Sequence, residues 1–165
     1  MVTASRIVGV VTVLVMVCAS VAHPQRTGAA AVTGARAFAA EAVGGTLGSA
    51  AGIAIGLAVA RPEDCPPDDD VVCPLQRLGV TAIIGVAGAT IGSVVAGRMA
   101  GTDPSIVGAF LGAAAGAAAG VGVEHLITEE MGQSIGNAGT VVLFSVVQGI
   151  LAAAGSRLGA RLRGD

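Results

Sequence analysis

The sequence predicts an all-α membrane protein: a bundle of about four Gly/Ala-rich helices in antiparallel hairpins, preceded by a signal peptide. Three observations carry this. Four runs of 18 to 26 residues contain no charged side chain. Glycine recurs at every fourth position within them. Only 12% of the 165 residues are charged, about half the globular norm, and mean hydropathy is +0.81. Such a chain is too apolar for a disordered tail and too poor in charge for an ordinary water-soluble domain. Nine Arg and no Lys against 11 acidic residues leave a net charge of −2, which offers no basic surface to nucleic acid. Without Tyr or Trp the chain lacks the aromatic girdles of an outer-membrane β-barrel.

The first element is an address. Met1–Arg6 is a short basic region, Ile7–Cys18 an apolar stretch, and Ser20-Val21-Ala22 puts small residues before His23-Pro24. This is the pattern of a secretory signal peptide over residues 1–22, cut after Ala22. The competing reading is an uncleaved anchor, for which Ile7–Ala22 is short of the roughly 20 residues a span needs. The lipobox-like Val15-Met16-Val17-Cys18 has Val17 where such a box carries a small residue. Residues 23–42 read as an Ala-rich linker whose later part, Ala35–Glu41, is compatible with helix.

Residues 43–156 form the predicted transmembrane domain, and the breaks between its runs are sharp. Val43–Ala60 ends at Arg61-Pro62, and Pro66-Pro67 with Asp68–Asp70 keep the next segment in water. Export removes Cys18 with the signal and leaves Cys65 and Cys73, an even pair expected to form a disulfide in an oxidising compartment. So small a ring stabilises by roughly 2–3 kcal/mol before strain. Leu78–Gly97 is followed by Gly101-Thr102-Asp103-Pro104, a turn in which Asp103 reads as an N-cap and Pro104 as a first helical residue. Ser105–Val123 gives way to Glu124–Glu130, where Thr128-Glu129-Glu130 suits the start of a last helix over Met131–Ser156. Thr140–Val147 is rich in β-branched residues, yet its long uncharged setting without alternation favours helix. Residues 157–165 read as an Arg-rich tail with Arg157, Arg161 and Arg163.

Gly44, Gly48, Gly52 and Gly56 make one unbroken ladder, and Gly108, Gly112, Gly116 and Gly120 another; Gly88 and Gly92 continue into Ala96 and Ala100. A short repeat underlies them: Gly-Gly-Thr-Leu-Gly-Ser-Ala-Ala at 44–51, Gly-Ala-Thr-Ile-Gly-Ser-Val-Val at 88–95 and Gly-Ala-Phe-Leu-Gly-Ala-Ala-Ala at 108–115. Residues four apart share one side of a helix, so each ladder is a strip without side chains. In water every such glycine costs about 1 kcal/mol of helix propensity. In a bilayer the backbone must satisfy its own hydrogen bonds, which enforces helix, and small-xxx-small faces become the surfaces through which helices associate. On these motifs, residues 43–123, extending to 156, resemble the broad class of bacterial glycine-zipper membrane proteins. The resemblance implies helical hairpins in a membrane, with envelope components and pore elements among its members. These ten glycines are the expected helix-packing residues.

No site for chemistry emerges. His23 lacks a partner, Glu124-His125 reads as an interfacial break, and Asp68–Asp70 lacks the ligand spacing of a calcium loop. Gly-rich segments without Lys exclude a phosphate loop. The expected protein is therefore not an enzyme and carries no cofactor or metal. Its partners are the lipid bilayer and, through the ladders, further copies of itself; Thr46, Ser49, Thr90, Ser93 and Gln148 would line any polar path. Alternating spans place the acidic breaks 61–77 and 124–130 on one side and the arginines on the other. The preference for cytoplasmic Arg then conflicts with a cleaved signal, which starts residue 23 outside. Full export to an outer or unspecified envelope membrane resolves the conflict.

Overall fold

The computed structural model describes residues 29–60, 72–130 and 137–164, with side-chain surroundings for 33–60, 78–123 and 138–164. The signal segment, Cys65 and the side chain of Cys73 lie outside the described residues, and the signal and disulfide readings with them. Four helices make up the fold: α1 (Ala29–Val59), α2 (Val72–Met99), α3 (Ile106–Glu130) and α4 (Asn137–Arg163). All four are long and apolar enough to cross a membrane, over Thr33–Val59, Leu78–Met99, Ile106–Val123 and Ala138–Arg163. This is the all-α membrane bundle expected.

The helices outrun the uncharged runs. α1 starts at Ala29, inside the stretch read as linker, because the Ala-rich sequence favours helix and Ala37 and Glu41 are both buried. α2 starts at Val72, with Pro74 in its first turn, where a missing N–H costs little. α3 continues through Glu124–Glu130, a stretch without Gly or Pro to stop it, and α4 begins at Asn137 rather than at Thr128–Glu130. The arginines of the tail form the last turns of α4, a favourable place for cations; Gly164, at φ +87°, follows the helix end.

The turn between α2 and α3 is closed by backbone. Gly101 takes φ +77°; its N–H bonds the Arg98 carbonyl (3.0 Å) while the Thr102 N–H reaches back to the Gly97 carbonyl (3.0 Å), a Schellman ending. Asp103 and Pro104 do not start α3. Ser105 caps it, its hydroxyl accepting from the Gly108 N–H at 3.2 Å. The reason is space: Ser105 sits against Gly159 of α4 and its own N–H points to the Ser156 carbonyl (3.4 Å), whereas Asp103 stays exposed beside Arg163.

Packing is most extensive between α1 and α2 and between α3 and α4, then between α1 and α4. Two antiparallel hairpins are thus joined mainly along α1 and α4. The alternation brings the start of α1, the end of α2, the start of α3 and the end of α4 to one end, with Arg36, Arg98, Arg157, Arg161 and Arg163.

Inside and outside are reversed relative to a soluble bundle. The largest fully buried side chains are Gln148, Glu41, Ser49, Ser93, Ser145 and Ser156, while Leu47, Ile83 and Val107 are 67%, 70% and 69% exposed. The apolar core is small: Val86, Ala89, Ala113 and Ala152 form its centre. Water-soluble monomers do not coat themselves with large aliphatic side chains around a core of Ala, Ser and Gln. In lipid the same distribution satisfies both faces.

Candidate functional site

Two glycine seams dominate the interior. Along α1 and α2, Gly44 faces Gly92 and Gly48 faces Gly88, each so closely that a Cβ on any of the four would run into the opposite carbonyl oxygen. Gly52 lies on the Ile84 carbonyl and Gly56 on Thr81, whose Cα would be 2.7 Å from an added Cβ. Ordinary van der Waals contact begins near 3.4 Å, so the helices touch backbone to backbone. Along α3 and α4, Gly108 meets Gly155 in the same reciprocal way, Gly112 meets Leu151, and Gly116 meets Gln148 with an added Cβ 2.7 Å from its Cα. Gly120 ends the series under the Phe144 ring, at 2.9 Å. All ten glycines singled out in the sequence thus lie against a neighbouring helix of the same chain.

Six further glycines outside those ten do the same, among them Gly85 with an added Cβ 3.0 Å from the Ile53 side chain and Gly97 with one 3.0 Å from the Glu41 side chain. Gly155 and Gly159 supply the α4 side of the second seam, and Gly45 meets Gly149 where the hairpins join, an added Cβ on Gly45 falling 2.9 Å from the Gly149 Cα. Gly155 and Gly159 do have the four-residue spacing, but they straddle the border between the last uncharged run and the Arg-rich tail. Gly34, Gly79 and Gly122 face open space.

Between the seams runs a polar interior. The Ser49 hydroxyl donates to Gln148 Oε1 across the α1–α4 joint. Thr46 and Thr90 turn their hydroxyls back to the Ala42 and Val86 carbonyls, both at 2.8 Å, and so satisfy them within their own helices. Ser93 and Ser145 are buried with hydroxyls that have no partner among the described residues. Four of the five residues expected to line a polar path are therefore buried in the bundle, and Thr46 is half-buried.

At the arginine end the interior becomes charged. Glu41 is 1% exposed, yet it sits among apolar helices. Its Oε1 lies 3.0 Å from the Thr102 hydroxyl and 3.4 Å from an Arg157 guanidinium nitrogen. That hydroxyl is also 2.8 Å from the Gly97 carbonyl, so one hydrogen serves two acceptors. Arg157 in turn stands 5.8 Å over the Phe38 ring. Glu41 had been read as the border of a linker; its partners come from 61 and 116 residues away, and no local pattern announces them.

This arrangement packs helices and buries polar groups. Among the described residues no group of three His, Cys, Asp or Glu side chains is placed to hold a metal ion. His23, Asp68–Asp70 and the side chains of Glu124 and His125 lie outside them. No protein family, curated protein or solved structure matches the chain.

Proposed function

We propose that this is a non-enzymatic membrane protein of the cell envelope whose role is structural and associative: glycine zippers hold four spans in a tight bundle that serves as a packed membrane element. The supporting observation is the reciprocal contact of Gly44 with Gly92, Gly48 with Gly88 and Gly108 with Gly155, the close backbone approach through which small-residue faces associate in membranes. Because the two seams are used within one chain, self-association draws on the outer faces of the bundle.

The test is oligomeric state and protease resistance of the detergent-solubilised protein, for wild type, Gly52→Leu and Gly116→Leu. Both variants are expected to lose resistance and compactness. Unchanged behaviour of both removes the zipper from the account.

A second reading, a pore or small-solute transport element, is favoured by one observation: the polar groups Ser49, Ser93, Ser145 and Gln148 are all turned inward. Ion or solute flux through reconstituted liposomes distinguishes it. Tight vesicles support the structural role, and flux abolished by Gln148→Leu supports conduction.

A further inference from the structure

At the arginine end a cavity of about 240 Å³ opens between α1, the α2–α3 turn and α4, lined by Glu41, Thr102, Asp103, Ser156, Arg157 and Arg161 among others. Neither helix packing nor lipid exposure calls for a charged cavity here. Three polar atoms at its wall are buried without a partner among the described residues: Glu41 Oε2, Ser156 Oγ and Arg157 Nε. Glu41 and Ser156 are 1% and 0% exposed, so bulk water does not relieve them. Buried carboxylate oxygens are ordinarily hydrogen-bonded, and an orphan of this kind marks a place that something else completes. The ion pair beside it is also loose. Arg157 stands 3.4 Å from Glu41, where a well-made guanidinium–carboxylate bond is about 2.7–2.9 Å. Arg157 is the partly exposed member, at 29%.

The chemistry of the vacant partners defines a ligand. Glu41 Oε2 demands a hydrogen-bond donor, preferably a cation, and the Ser156 hydroxyl, on the wall of the same cavity, accepts one as well. Arg157 and Arg161 present guanidinium forks suited to a phosphate. The cavity also has a definite depth. Glu41 precedes the uncharged run that begins at Val43, Thr102 follows the one that ends at Gly97, and Ser156 closes the last. The ends of the uncharged runs thus meet at the cavity, the level at which headgroups are expected to lie.

We propose that this cavity binds a phosphoethanolamine group, with its primary ammonium on Glu41 and Ser156 and its phosphate on Arg157 and Arg161. A choline headgroup has no N–H to give Glu41, and a glycerol headgroup has no cation. The group arrives either on a lipid or as a soluble ester. The site is independent of whether the bundle is structural or conducting.

The test is native mass spectrometry of the full purified chain in detergent with equal amounts of phosphatidylethanolamine, phosphatidylcholine and phosphatidylglycerol, and then with soluble glycerophosphoethanolamine. Retention of the ethanolamine lipid is expected to exceed the other two by about tenfold, equivalent to about 1.4 kcal/mol. Glu41→Gln should abolish the preference. Displacement of the lipid by millimolar glycerophosphoethanolamine identifies a site for the free ester; retention of lipid alone identifies a headgroup site. Equal retention of the three lipids overturns the proposal, as does a preference that survives Glu41→Gln. Circular dichroism reports whether that variant folds; if it does not, Arg161→Gln on the rim replaces it, with weaker retention of all three phospholipids expected and unchanged retention fatal.

Discussion

Replacing Gly48 by Ala adds a single methyl group, and in a soluble helix it would be expected to stabilise by about 1 kcal/mol through helix propensity. Here the sign reverses. The new Cβ would run into the Gly88 carbonyl oxygen, with the carbonyl carbon at 2.8 Å and the Gly92 Cα at 3.2 Å. These atoms are backbone and cannot rotate aside, so the carbonyl carbon must retreat from 2.8 Å to at least 3.4 Å, the near edge of ordinary contact. Overpacking of this kind costs about 1–3 kcal/mol. Parting the helices by roughly 0.5–1 Å also forfeits a quarter to a half of each neighbouring dispersion contact along the seam. The expected net loss is about 2–4 kcal/mol relative to wild type. Gly34→Ala is the control within the same helix, since nothing lies within 4 Å of its would-be Cβ. It should be neutral or mildly stabilising. The assay is unfolding by increasing SDS fraction in mixed micelles, followed by far-ultraviolet circular dichroism. If Gly48→Ala unfolds at the same SDS fraction as Gly34→Ala, or later, the close approach of α1 and α2 is wrong.

Other expectations follow from single contacts. Ser49→Ala and Gln148→Leu, measured singly and together, should show a coupling of about 0.6–2 kcal/mol, and additivity would mean the two side chains do not meet. Gly101→Ala forces a side chain into left-handed geometry and should destabilise by about 1–2 kcal/mol in the same assay; no change would place the turn elsewhere. Ser105→Ala removes the cap of α3 and should cost about 1 kcal/mol, whereas Asp103→Ala should cost less than half of that. On fractionation the protein should stay with membranes through an alkaline wash, and Cys65 and Cys73 should take up a thiol label only after reduction. Release into the wash would remove the bilayer from the account.

The architecture was legible because its causes are local. Run lengths set the number of spans, and four-residue glycine spacing marks the faces that meet, as the register of Gly44, Gly48 and Gly52 against α2 illustrates. Helix ends were less legible. A charged residue ends an uncharged run but does not end a helix: α3 passes straight through Glu124, Glu129 and Glu130. The turn before α3 was placed two residues early because Asp103 is the stronger capping residue in isolation, while the contact of Ser105 with α4 decides the matter in the fold. The charged cavity was not legible at all. Glu41 beside an apolar run looks like a border, and only the fold brings Thr102, Ser156 and Arg157 to it.

Glycine and alanine have no rotamers to lose, so the contacts of α1 with α2 and of α3 with α4 form without freezing side-chain torsions. Nor do they have flexible chains with which to accommodate a shift. Each hairpin should therefore behave as a stiff rod, and any yielding of the bundle should concentrate where Gly45 meets Gly149 and the Ser49–Gln148 bond crosses from one rod to the other. Sliding of the rods there would strain that bond first, with Glu41 and Arg157 farther along the same joint.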